Sequence, residues 1–157
     1  MKSHIITVRE FVTNGIELTD KSSEFKQDPF WESLKKTGTE LWLDTGDMEQ
    51  AGEIWNSGFS ALTTNNTLLN KEIQKGMYDD LIKEANLILQ DLDIKRRIIE
   101  IAFILNARHG LKLVEKFDTK VSVELHTDFA HDIDASVEFG RRYHDISPKR
   151  FIIKVPY

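Results

Sequence analysis

The residue with the most chemical potential in this chain is Lys154, set in Phe151-Ile152-Ile153-Lys154-Val155-Pro156. An ammonium among apolar side chains loses hydration, which disfavours its charge and favours the neutral amine that attacks a carbonyl to form a Schiff base. The same pattern also fits a lysine on an edge strand that points to solvent. Two carboxylates occupy comparable positions: Asp44 closes Leu41-Trp42-Leu43-Asp44, and Glu124 falls near the end of Val121-Ser122-Val123-Glu124-Leu125. Schiff-base chemistry needs one group to take a proton from a substrate hydroxyl as a carbon–carbon bond breaks. It needs another to serve carbinolamine formation, directly or through water. Each carboxylate alone also fits a helix cap or a salt-bridge partner, so the combination carries more weight than either part.

The elements that must position these groups follow from local pattern. Asp28 and Pro29 begin a short amphipathic helix that Gly38 ends, and Phe30, Trp31 and Leu34 give it one apolar face suited to covering a barrel end. The segment 1–38 therefore reads as an N-terminal helical extension. From residue 39 onward, short strands alternate with helices. The strands are Leu41–Asp44, Phe59–Thr64, Val121–Leu125 and Phe151–Val155. Asp47 is placed to cap a helix running to about Gly58. Apolar residues recur at helical spacing over Tyr78–Gln90 and Ile94–Arg108, and a further helix is expected over Asp132–Asp145. Connections of this length exclude hairpins and imply a parallel sheet, with extra helices between the second and third strands.

Side chains alternate across a strand, so Trp42 shares a face with Asp44, Ser122 with Glu124, and Ile152 with Lys154. In a parallel barrel, functional groups collect at the C-terminal ends of strands. Asp44, Thr63-Thr64-Asn65, Glu124 and Lys154 all fall there. A closed barrel of eight such units takes ~250 residues. Four strands in 157 residues are therefore expected to be the first half of a barrel, inactive as it stands because half a scaffold does not fix catalytic groups to within about half an ångström.

Composition narrows the partners. A net charge of -5 argues against nucleic acid, whose phosphates require a basic face. The chain has no cysteine, which excludes disulfides and thiolate metal sites. No apolar run approaches the ~20 residues that span a bilayer, and the first residues do not resemble a secretion signal. A cytoplasmic location is the expectation. Asp44, Asp47 and Glu49 could suggest a divalent metal, but Asp47 fits a helix N-cap better, and His126 and His131 lack ligand spacing. Neither a glycine-rich phosphate loop nor a dinucleotide fingerprint is present, so no cofactor or metal is expected.

The strand ends resemble the transaldolase family. Leu43-Asp44-Thr45-Gly46-Asp47 is similar to its first-strand Asp-Thr-x-Asp motif. Ala61-Leu62-Thr63-Thr64-Asn65 resembles its Thr-Thr-Asn-Pro motif, with Asn66 in place of the usual proline. Val121-Ser122-Val123-Glu124 resembles its Ser-x-Glu segment, and Ile152-Ile153-Lys154-Val155-Pro156 the segment around its Schiff-base lysine. The resemblance covers about residues 40–157. It implies an α/β fold, the (β/α)8 TIM barrel of the transaldolase (class I aldolase) type with only the first four strands present, and a sugar phosphate as substrate. It also implies Lys154 as nucleophile, Asp44 as acid/base for carbon–carbon cleavage, Glu124 acting with a water on the imine, and Thr63, Asn65 and Ser122 holding the dihydroxyacetone portion of the donor. Related fructose-6-phosphate aldolases usually carry glutamine where Glu124 stands, which tilts the expectation towards transfer. The alternatives are a Schiff-base aldolase acting on another phosphosugar, or a non-catalytic half barrel that assembles, as a homo-oligomer for instance, to hide its sheet edges.

Overall fold

The computed structural model describes residues 7–18 and 25–156. A four-stranded, wholly parallel sheet forms its centre, in the order β1 (Leu41–Asp44), β2 (Phe59–Thr63), β3 (Lys120–Glu124), β4 (Phe151–Lys154). Strand order equal to chain order, with a helix in every crossover, is the pattern of a (β/α) barrel segment. The crossovers are α3 (Met48–Ile54), then α4 (Asn66–Gln74), α5 (Asp79–Ile88) and α6 (Ile94–Phe117) between β2 and β3, then α7 (Ile133–Ile146). Two helices precede the sheet, α1 (Val8–Thr13) and α2 (Pro29–Lys36).

The punctuation expected from sequence is in place. Asp28, Asp47 and Asp132 each accept a backbone N–H in the first turn of α2, α3 and α7, satisfying donors that the helix itself leaves unpaired. Gly38 and Gly76 take positive φ, a conformation that costs glycine little. The helix expected to reach Arg108 instead runs on to Phe117. Gly110 does not interrupt it, because its missing side chain lets the helix press directly on Val123 and Phe151. The helix ends at Asp118, which adopts left-handed φ/ψ and pairs with Arg150.

One face of the sheet is covered and the other is open. Leu43, Leu62, Val121, Val123, Phe151 and Ile153 point to the helical side and join Phe103, Leu111, Leu113 and Val114 in the core. Burying each such aliphatic side chain contributes about 1.5–3 kcal/mol. α7 is fixed to α6 by the Arg142 guanidinium, which makes 2.9 and 2.5 Å bonds to the two oxygens of the buried Glu100 and lies over the rings of Phe103 and Phe139. α1 belongs to this core through Phe11 and Val12, and Arg108 donates to the Val12 carbonyl at 2.7 Å. α2 packs at the opposite end of the sheet from the strand C-termini, with Trp31 against Gly58 and the Phe59 ring, 5.7 Å between centroids. Among the described residues, no helix is long and apolar enough to cross a membrane.

Candidate active site

Register places the candidate residues side by side. Asp44 is the partner of Thr63, Thr63 of Ser122, Ser122 of Ile152, and Glu124 of Lys154. Partners in a parallel ladder face the same way, so Trp42, Asp44, Thr63, Ser122, Glu124 and Lys154 share the face opposite the helices. It is open enough that Trp42 is 41% exposed.

The Glu124–Lys154 pair is the centre of this face. Lys154 Nζ lies 3.3 Å from Glu124 Oε1. The lysine side chain is 39% exposed and the glutamate 12%, so Lys154 is held against a carboxylate in a partly open setting instead of being sealed among the apolar residues that flank it in sequence. The other glutamate oxygen, Oε2, accepts the Asn66 backbone N–H and Asn66 Nδ2–H, each at 3.0 Å. Asn66 Nδ2 also donates to the Leu125 carbonyl at 2.9 Å. Behind the strand, the buried Asn106 of α6 donates to the Glu124 backbone carbonyl at 2.6 Å.

The remaining candidates are less closely gathered. Asp44 is separated from Lys154 by β2 and β3, roughly 14 Å along the sheet at ~4.8 Å per strand, so only barrel curvature can bring both to one substrate. The turn after it is fixed: Thr45 N donates to the Thr63 carbonyl at 3.1 Å, and Asp47 N to Thr45 Oγ1 at 3.1 Å. Asp47 itself caps α3 and meets Lys75 Nζ at 2.8 Å, and this ammonium, with the Gln50 and Glu49 N–H groups, holds its carboxyl at about 2. Asn65 is the N-cap of α4, its Oδ1 accepting from Leu68 N at 2.9 Å. Ser122 is only 4% exposed, the least accessible of the expected substrate contacts.

Under this floor, His109 of α6 is fully buried with Nδ1 2.8 Å from the Tyr78 hydroxyl. Burial pulls the imidazole down to about 4.

In the sequence Asn66 stands out only as a replacement for proline, and Asn106 belongs to no motif. The signal for Asn106 was present as one amide in the otherwise apolar stretch Phe103-Ile104-Leu105-Asn106-Ala107. A buried amide in such a stretch needs a partner, and the site's backbone supplies it.

Four parallel strands alternating with helices, with polar groups at their C-terminal ends, define part of a TIM barrel of the aldolase kind. Residues 41–157 match the Transaldolase/Fructose-6-phosphate aldolase family, and the chain belongs to that family. It is 31% identical over 136 residues to a protein named Transaldolase 2 from Nostoc punctiforme (strain ATCC 29133 / PCC 73102), and equally to a Transaldolase 2 from Nostoc sp. (strain PCC 7120 / SAG 25.82 / UTEX 2576). Each match takes in 78% of this chain and 35% of the relative, so the chain spans about a third of the length of these curated relatives.

Proposed function

We propose that this chain carries the Schiff-base half of a transaldolase site, in which Lys154 takes a dihydroxyacetone unit from a ketose phosphate for delivery to an aldose phosphate. The observation that carries the reading is the cross-strand pair Glu124–Lys154, 3.3 Å apart at the C-terminal ends of adjacent parallel strands. Lys154 gives its ammonium proton, through a water, to Glu124, and the resulting amine adds to the donor carbonyl, giving a carbinolamine that loses water to form the imine. Glu124, working through a water, moves protons in that step and in its reversal. Asp44 takes the proton of the hydroxyl on the carbon being released. The carbon–carbon bond then breaks, its electron pair enters the imine to give an enamine, and the aldose departs. The enamine attacks the carbonyl of the acceptor aldose phosphate, and hydrolysis frees the lysine. Thr63 and Asn65 hold the dihydroxyacetone hydroxyls, with Asn65 using Nδ2 because Oδ1 caps α4. Ser122, being buried, serves only through its edge on that face.

Borohydride reduces an imine to a stable secondary amine. Four strands of a barrel are expected not to turn over, but capture of an imine asks only for Lys154 and its neighbour; with fructose 6-phosphate as probe, the chain is therefore expected to be trapped covalently and the Lys154→Met variant is not, and trapping retained in the variant removes the assignment. On a barrel complete enough to turn over, product analysis with and without an acceptor aldose separates transfer from simple aldol cleavage, since a transferase stalls without one. A second reading rests on the strand edges: β1 pairs only with β2, and β4 only with β3, among the described residues. Edges of this kind favour association that covers them, and size-exclusion chromatography would show it as a dimer; a monomer at all concentrations would remove it.

A further inference from the structure

We propose that Asn66 is the positioning residue for Glu124, locking one carboxylate oxygen so that the other is presented to Lys154. The inference rests on the Schiff-base reading of that pair. Two donors from one residue, the backbone N–H and Nδ2–H, converge on Glu124 Oε2 at 3.0 Å each. The same Nδ2 is tethered to the Leu125 carbonyl at 2.9 Å, so the side chain that holds the glutamate is itself held to the end of the same strand. Glu124 Oε1 is left facing Lys154 Nζ. Asn66 is the first residue of α4, where the helix N–H groups have no partner inside the helix and favour an anion. The resembling motif has proline at this position, which lacks an N–H and any side-chain donor. This chain therefore orients its glutamate by a device that the proline cannot supply.

The substitution Asn66→Pro is a sharp test because it should fold. Proline is favoured at the first position of a helix, and the preceding Asn65, at φ -148 and ψ 171, already has the extended backbone that a following proline demands. Asn66→Ala retains the backbone donor and removes only the side-chain one. Two readouts on the full chain separate the positioning claim from the reading beneath it. In 1H–15N spectra, the backbone and side-chain N–H signals of Asn66 should move with a single carboxyl titration, and that movement should vanish in Glu124→Gln. Signals that do not titrate, or that still do so in Glu124→Gln, overturn the proposal whatever the chemistry. In borohydride trapping with dihydroxyacetone, Asn66→Pro should slow imine capture at Lys154 ten- to hundred-fold, the scale on which a misplaced group costs rate, and Asn66→Ala by less. Equal rates in all three proteins, with the melting temperature unchanged, overturn the role in catalysis. A wild-type chain that traps nothing at Lys154 overturns the Schiff-base reading, and the amide titration then decides on its own whether Asn66 holds Glu124.

Discussion

Gly110 and Gly140 are both helical glycines facing the same sheet, and alanine at the two positions should have opposite effects. Glycine in a helix interior is worse than alanine by roughly 0.8–1 kcal/mol, so propensity alone favours both changes. Space decides otherwise for Gly110. A methyl there would meet Val123 Cγ1 at 2.9 Å and Phe151 Cε1 and Cζ at 3.0 Å, all on buried side chains of β3 and β4. Overpacking of a filled core costs typically 1–3 kcal/mol, which offsets the propensity gain and leaves a net loss of up to about 2 kcal/mol. At Gly140 the same methyl would sit 3.6 Å from Ile153 Cγ2, an ordinary contact, and the propensity gain should survive. For a chain of this size 1 kcal/mol moves the melting temperature by about 2–4 °C. Thermal and urea unfolding of Gly110→Ala and Gly140→Ala against the wild type check the pair. The melting temperature should fall by up to a few degrees for the first and rise by a degree or more for the second. A rise for Gly110→Ala would show that α6 does not press on β3 and β4 as described.

The buried His109 should make stability pH-dependent. Its imidazole lies at about 4 in the fold against an ordinary 6.5, so the neutral form is favoured on folding and its contribution is complete above pH 6.5. As pH falls, the unfolded chain takes up the proton first, and roughly 3 kcal/mol is lost between 6.5 and 4. Urea denaturation at pH 7 and pH 4.5 should show this loss in the wild type and a smaller one in His109→Gln; equal losses would contradict it. Asn65→Ala removes the N-cap of α4 and should cost about 1 kcal/mol, with Asn65→Asp close to neutral; thermal unfolding that ranks the two the other way would count against the cap.

Much of the fold was legible because its signals are local. Asp28 with Pro29, Asp47 and Asp132 mark helix starts by their own chemistry, and Leu41–Asp44 and Phe151–Lys154 mark strands by apolar runs between turns. Alternation alone put Ser122 with Glu124 and Ile152 with Lys154 near the ends of their strands, whereas the pairing of those two strands is a property of the sheet. What local pattern does not encode is which residues meet across long sequence separations. The continuation of α6 through Gly110 depends on Val123 and Phe151 of two later strands. The incorporation of α1 into the core depends on Arg108, far along the chain. The same holds for Asn66, whose partners are Glu124 and Leu125, and for Lys154, whose apolar sequence neighbours concealed a cross-strand carboxylate.

The central claim is that Lys154, presented beside Glu124, is the amine that takes the substrate. Its most direct test is the site of covalent capture: incubation of the chain with dihydroxyacetone and borohydride, followed by proteolysis and mass analysis of the lysine-containing peptides. The expected result is a single reduced adduct on Lys154, absent from Lys154→Met and diminished in Glu124→Gln. Adducts spread over surface lysines, or an adduct that persists in Lys154→Met, would contradict it.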